Sequence, residues 1–340
     1  MAYLLIIIFL NSNSYGENNR YFEFDKGIIA LMYHRFDEHK YPSTNIQMDI
    51  FKEQINIIEN HEISFLHPKN LNEEISKPNE EKKILLTIDD GFQSFYDNAW
   101  PILKKKNIPF ILFISTAYVG KNGYMNWEQI KEIEKSGLGI IGNHSHTHKY
   151  LVDETNNQIV NDLNQAIALF EKELGHSPSY FSYPFGEYSN DFKKILINLN
   201  FNVAFGQHSG VIDGTKNHLE LPRFPINEKY GNLDRFKFII DLLPFPYKEI
   251  YPENRYLQKS ENPPKLKVVF FENQKNLKNI NCFSNEGNRW RDSKIILGEE
   301  NILTINFEEE FTTERGRINC SLNDKNGWRW LGIQYVISEY

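Results

Sequence analysis

Two clusters far apart in the chain hold the residue types that water-activating chemistry needs. In Thr87-Ile88-Asp89-Asp90-Gly91, two carboxylates stand side by side directly after the apolar run Ile84-Leu85-Leu86. Adjacent carboxylates at a strand end repel unless a cation or a shared proton compensates them. Taken alone, an Asx turn leaving the strand through a left-handed Gly91 accounts for the same residues. In Gly142-Asn143-His144-Ser145-His146-Thr147-His148, three histidines alternate, and neutral imidazole is the commonest protein metal ligand. The i, i+4 spacing of His144 and His148 predicts one turn of helix aiming both rings at one point, with His146 turned away. Two histidines and a carboxylate leave coordination positions open for water and substrate, as hydrolysis requires. A third cluster, Ser182-Tyr183-Pro184-Phe185-Gly186-Glu187-Tyr188, predicts a sharp turn whose backbone N–H groups are candidates for holding an oxyanion. Pro-aromatic-Gly turns are frequent, so this last signal is weak by itself.

To act together, the clusters must be delivered to one place. Short β-branched runs at Ile28–Tyr33, Ile84–Ile88, Phe110–Ser115, Gly139–Gly142, Tyr180–Tyr183 and Val203–Phe205 alternate with helical patterns. The helices are expected at Met48–Asn60, Ser94–Lys106, Trp127–Ser136, Glu154–Leu174 and Asn190–Leu199. Strands alternating with helices imply βα units around a parallel sheet or barrel. In such folds the C-terminal ends of the strands carry the chemistry. All three clusters follow predicted strands.

In this order the residues resemble the polysaccharide deacetylases, the NodB-homology domain or carbohydrate esterase family four. The family's T-[FY]-D-D-G looks like Thr87–Gly91 with Ile88 for the aromatic, its H-[ST]-x-x-H matches His144–His148, and its R-x-P-[FY]-G looks like Ser182–Gly186 with Ser182 for Arg. The resemblance runs from about Gly27 to Ile226. It implies an α/β fold, a distorted (β/α) barrel, and a divalent metal held by Asp90, His144 and His148. That metal is zinc in most members, with Co2+, Ni2+ or another divalent ion as alternatives. It further implies Asp89 as general base and the Phe185 N–H at the oxyanion, with Tyr183 beside it in the same motif. The late Leu-x-His motif that supplies the acid in many members is missing. Met32-Tyr33-His34-Arg35-Phe36 instead resembles the start of the poly-N-acetylglucosamine deacetylases, a rearranged group whose acid histidine lies early and whose third motif lacks the Arg. His34 is therefore the expected acid, across the metal from Asp89. Arg223, with Arg35 second, is expected to replace the missing Arg in orienting the base. The implied activity is removal of N-acetyl groups from a polysaccharide. An O-acetyl esterase or non-glycan amidase of the same fold, or a non-catalytic glycan binder, stays open.

Composition bounds the rest. The 340 residues are 40% hydrophobic and 24% charged, ordinary for globular chains, and the net charge of −7 excludes a broad nucleic-acid surface. Leu4–Leu10 is apolar but far shorter than the roughly 20 residues that span a bilayer. It fits the core of a secretory signal peptide ending near Gly16, without the usual basic residues before it. Export to the periplasm or outside the cell is expected, with no transmembrane helix in the mature chain. The composition changes after Asp241, so the barrel domain that the resemblance implies is expected over 25–241, with a Pro-rich linker or arm over 242–264 and a small antiparallel β-sandwich over 265–340. In that last region Cys282 and Cys320 are either bridged or buried as thiols. Trp290, Trp328 and Trp330 are either core residues or platforms for sugar rings.

Overall fold

The computed structural model describes residues 26–76 and 81–338. The expected signal peptide lies outside the described residues. Eight parallel strands form the sheet of the first unit: β1 (Ile28–Tyr33), β2 (Lys83–Ile88), β3 (Phe110–Ile114), β4 (Gly139–Asn143), β5 (Tyr180–Ser182), β6 (Val203–Phe205), β7 (Phe224–Pro225) and the short Ser64–Phe65, which pairs beside β2. Their order in the sheet is β7-β1-β2-β3-β4-β5-β6. The segment 221–225 brings the two edges together. Leu221 bridges Phe205 at the end of β6, and Phe224 pairs with Leu31 of β1.

The reason β1 reads as an unbroken apolar run is visible in its two faces. Ile29, Leu31 and Tyr33 enter the core beneath the helices, whereas Ile28 and Ala30 enter a second core inside the sheet's curvature. A strand covered on both faces has no position for a polar residue. The helices α1 (Met48–Glu59), α2 (Trp100–Lys106), α3 (Trp127–Lys135), α4 (Asn156–Leu174) and α5 (Asn190–Asn198) follow the amphipathic patterns. Capping boxes at Asn126/Gln129 and Thr155/Gln158 start α3 and α4, and Gly175 in the left-handed region ends α4. The expected single helix over Ser94–Lys106 is instead a π-turn, Phe95–Ala99, running into α2. Pro101 has no N–H for the ladder, and the turn before it widens. A further helix, α6 (Leu233–Asp241), packs near α1 and was not expected from the pattern.

Residues beyond 242 form two sheets around their own core. A six-stranded sheet is built on the long hairpin β12 (Arg315–Asp324) and β13 (Gly327–Ile337). A four-stranded sheet includes β8 (Leu266–Val269), β10 (Lys294–Leu297) and β11 (Ile302–Asn306). The remaining strand of note, β9 (Asn281–Ser284), pairs with β12 so that Cys282 faces Cys320, and the two are bridged. The Pro-rich stretch is woven into these sheets. Residues 243–244 and 256–257 pair in parallel with β13, and 249–251 pair with β8. The sandwich is therefore mixed rather than purely antiparallel.

Candidate active site

Parallel strands present their C-terminal ends on one face, and register decides which residues meet there. Tyr33 lies opposite Ile88, so the next residues along, His34 and Asp89, become neighbours. His34 Nε2 is 3.9 Å from Asp89 Oδ2. His34 thus does reach the site, but beside Asp89 rather than across from it. The cause is that β1 and β2 are adjacent strands.

Asp89 is fully buried and held from several sides. Arg223 Nη1 donates to Asp89 Oδ1 (2.7 Å) and Arg223 Nη2 to Asp89 Oδ2 (2.9 Å), the bidentate geometry of a guanidinium on a carboxylate. Arg223 also donates to Thr87 Oγ1, Ser182 Oγ and the Gly206 carbonyl, and Ser182 Oγ donates to Asp89 Oδ2. Burial alone would raise the Asp89 pKa. Arg223, with His144 and His34, outweighs burial and holds it below the ordinary carboxylate value. Arg35 is elsewhere, paired with Glu38 and lying over the Phe92 and Tyr41 rings. The guanidinium of Arg223 is spent on Asp89, so it positions that carboxylate instead of meeting a substrate.

Asp90, next in sequence, has a left-handed φ of 72° that turns its side chain away from that of Asp89. Its Oδ1 lies 3.3 Å from His144 Nε2 and 3.2 Å from His148 Nε2. One ligand atom from each of the three residues falls within 4.8 Å of the others. The His144–His148 segment is a loop, not the expected turn of helix, and Ser145 and His148 also have positive φ. Side chains hold that loop in shape. Asn143 Oδ1 accepts from the Ser145 N–H and Ser145 Oγ from the His148 N–H. Asp162 of α4 accepts from the N–H groups of His146 and Thr147 and from the Thr147 hydroxyl. His146 turns to Thr116, with Nδ1 at 2.8 Å from its hydroxyl.

The donor set fits a cation on electrostatic grounds. His144 Nδ1 lies 2.6 Å from the Ser182 carbonyl, which can only accept, so Nδ1 carries the proton. A neutral His144 then aims its Nε2 lone pair at Asp90 Oδ1, a buried oxygen with no hydrogen-bond partner among the described residues. Lone pair against carboxylate is repulsive unless a positive charge lies between them or on the ring. An ion fills that need without protonating either histidine.

Phe185 has φ 59°, stacks flat on Tyr150 with centroids 3.8 Å apart, and meets the edge of His148. Four left-handed non-glycine residues, Asp90, Ser145, His148 and Phe185, thus gather at one site, where backbone strain commonly marks function. Tyr183 does not join them. Its ring is fully buried among Phe181, Phe192 and Tyr188, and its hydroxyl donates to the Leu219 carbonyl. The alternation of β5 points it into the core, so the expected contact with substrate is withdrawn. Sequence reasoning missed Asp162. The available signal was a carboxylate in the buried stripe Ile159, Asp162, Leu163, Ala166, Phe170 of an amphipathic helix.

His34, Asp90, His148 and Phe185 open onto a cleft of about 670 Å³ whose opposite wall includes Trp290, Arg317 and Trp330 of the β-rich region. Residues 76–204 match the polysaccharide deacetylase family profile. The poly-beta-1,6-N-acetyl-D-glucosamine N-deacetylase of Staphylococcus aureus is 24% identical over 244 residues, covering 64% of this chain and 82% of that protein. Among solved structures, IcaB from Ammonifex degensii superposes with a TM-score of 0.58 at 25% identity, over 64% of this chain and 97% of that one. The Streptococcus pyogenes deacetylase PplD, solved with acetate, shares the fold at 23% identity and a TM-score of 0.56, over 60% of this chain and 94% of its own. With the three motifs at the ends of β2, β4 and β5 and these relatives beside it, residues 76–204 are identified as a polysaccharide deacetylase domain of the NodB-homology, carbohydrate esterase family four type.

Proposed function

We propose that the chain is a divalent-metal-dependent hydrolase that removes N-acetyl groups from an exported or cell-surface polysaccharide. The observation that carries this reading is Asp90 Oδ1, buried, without a hydrogen-bond partner among the described residues and facing two imidazole nitrogens. Asp90, His144 and His148 would hold the ion, with zinc the best match to a mixed nitrogen and oxygen donor set. When bound, it supplies Lewis acidity to water and to the acetyl carbonyl. Asp89, kept ionised and oriented by Arg223, takes a proton from the attacking water. His34, 3.9 Å from Asp89 and lining the cleft, delivers a proton to the departing nitrogen. The Phe185 N–H, at a left-handed turn beside His148, is assigned to the developing oxyanion. The Cys282–Cys320 bridge supports export, since such bonds persist in oxidising compartments. No helix among the described residues is long and apolar enough to cross a membrane. The deacetylase domain is assigned to 25–241, with the segment 242–264 joined to the β-rich region that continues to 340.

The test is acetate release from N-acetylated oligomers of chitin, peptidoglycan and poly-β-1,6-N-acetylglucosamine, beside matched O-acetyl esters, with chelator and then with added zinc. Asp89→Asn should keep the metal and lower turnover by on the order of 10²–10⁴. His34→Gln should damage amide cleavage far more than cleavage of an activated aryl ester, which leaves without a proton. Metal-independent turnover, or release from O-acetyl esters alone, would overturn the proposal.

A further inference from the structure

The arginines of this chain are almost all compensated. Among the described residues, Arg35, Arg223, Arg255, Arg289, Arg291, Arg315 and Arg329 each have a carboxylate within ion-pair distance. Arg235 and Arg317 have none, and both line the cleft that holds the catalytic cluster. Arg317 lies on β12, half-buried. Its Nε donates to Gln334 Oε1 at 3.2 Å, and its Nη groups make no hydrogen bond within the described protein. Arg235 lies on α6, donates only to the carbonyls of Pro225 and Tyr230, and lies over the Tyr230 ring, with no carboxylate beside it. The neighbouring Arg315 is already neutralised by Glu187. Asp90 is the one carboxylate among the residues lining this cleft, and its charge belongs to the proposed ion.

Partly burying an uncompensated guanidinium is unfavourable unless an anion completes it. Burial and the nearby Arg315 both disfavour the charge on Arg317. A polymer made only of N-acetylglucosamine offers no such anion. It is neutral and becomes cationic as acetyl groups leave, so two guanidiniums without a carboxylate partner would repel its product. Trp290, 52% exposed, lines the same cleft, and an exposed indole can cover a sugar face.

We propose that the β-rich region is the outer wall of the substrate cleft, and that Arg317 with Arg235 receives an anionic group, a carboxylate or a phosphate ester, on a sugar neighbouring the acetylated one. This rests on the hydrolase reading for what happens next, but not for binding. The proposal also explains why the barrel and the β-rich region are tied together at the cleft's edge. Gly332 N–H donates to the Ser209 carbonyl at 2.7 Å and Trp330 Nε1 to Ser209 Oγ at 2.8 Å.

The experiment is calorimetric binding to the full chain held in chelator, so that no turnover competes. The probes are a tetrasaccharide alternating N-acetylglucosamine with glucuronic acid, its carboxyl-reduced neutral counterpart, and an N-acetylglucosamine tetramer bearing one 6-phosphate. At least one acidic probe should bind about tenfold tighter than the neutral one, the usual effect of a charge-assisted hydrogen bond. Which acidic probe gains more distinguishes carboxylate from phosphate. Arg317→Gln should remove most of that preference, leaving neutral affinity within about twofold. Arg317→Lys should keep part of it, and rising salt should erode it. Equal affinity for acidic and neutral probes in the unmodified chain would overturn the proposal, as would a preference surviving in the Arg235→Gln/Arg317→Gln double variant. Absence of acetate release from every probe after zinc is restored would sink the hydrolase reading instead, and leave the binding preference standing.

Discussion

Replacing Arg223 by Gln removes a guanidinium that makes five hydrogen bonds in a fully buried site, two of them to Asp89. Gln can restore one or two of the neutral contacts, but it leaves Asp89 with a buried, uncompensated charge. Breaking a buried pair by removing one partner costs about 3–5 kcal/mol, more than the pair's net contribution, because the remaining ion keeps its desolvation penalty. The expected loss in denaturant unfolding of chelator-treated protein is therefore about 3–5 kcal/mol near neutral pH. If the loss comes from the stranded charge, Asp89→Asn should relieve it. The double variant should then be less destabilised than the sum of the single ones by about 2–3 kcal/mol. The pH dependence has a definite sign. The native pKa of Asp89 lies below its unfolded value of about 3.9, so the pair stabilises fully above that pH and loses its effect as pH falls through the native value. In Arg223→Gln burial instead pushes the stranded Asp89 carboxyl up, so the gap between the parent chain and the variant should be widest at the alkaline end, narrow as pH falls through the variant's raised pKa, and be lost below the parent's native value. Arg223→Lys keeps a charge but not the fork, and should recover only part of the loss. A penalty under about 1 kcal/mol, or additivity of the two substitutions, would show that Arg223 is a packing residue and that the orienting role assigned to it is wrong.

Ala at Asp90, His144 or His148 should strip metal and activity together, as elemental analysis of the purified protein would show, whereas Ala at His146, which faces Thr116, should retain the ion. Asp162→Ala should free the histidine loop and weaken zinc affinity about 10–100-fold without touching a ligand, a loss readable in a competitive chelator titration. Unchanged affinity would mean that the loop keeps its shape unaided. Replacing both Cys282 and Cys320 by Ser opens a loop with a sequence separation of 38, for which chain entropy gives a loss of about 4 kcal/mol. Unfolding of the β-rich region should then precede that of the barrel in a two-step melt, and a single unshifted transition would refute this.

Local pattern made the alternating strands and helices, the three clusters and their place at strand ends legible in the sequence. Each of those features is written in residues close together in the chain. Burial on both faces makes β1 apolar throughout, and the motif residues come immediately after such runs. The grouping of Asp90, His144 and His148 was also readable, because two histidines and a carboxylate have few other reasons to recur in that order. The shape of the histidine segment was not. Its i, i+4 spacing suits a helix, but Asn143, Ser145 and the distant Asp162 offer the backbone other partners and hold it as a loop.

Only tertiary structure decided what depends on register and on which residues meet across the fold. Adjacency of β1 and β2 puts His34 next to Asp89, and strand alternation sends Tyr183 into the core. The closing segment between β6 and β1 carries Arg223 from 134 residues away onto Asp89, where its fork grips the carboxylate. Likewise, no local signal joins Trp290 and Arg317 to the cleft that His34, Asp90 and His148 line. They face it because the Pro-rich stretch pairs into both β-sheets and β13 docks on Ser209, contacts set by chain topology rather than by neighbouring residues.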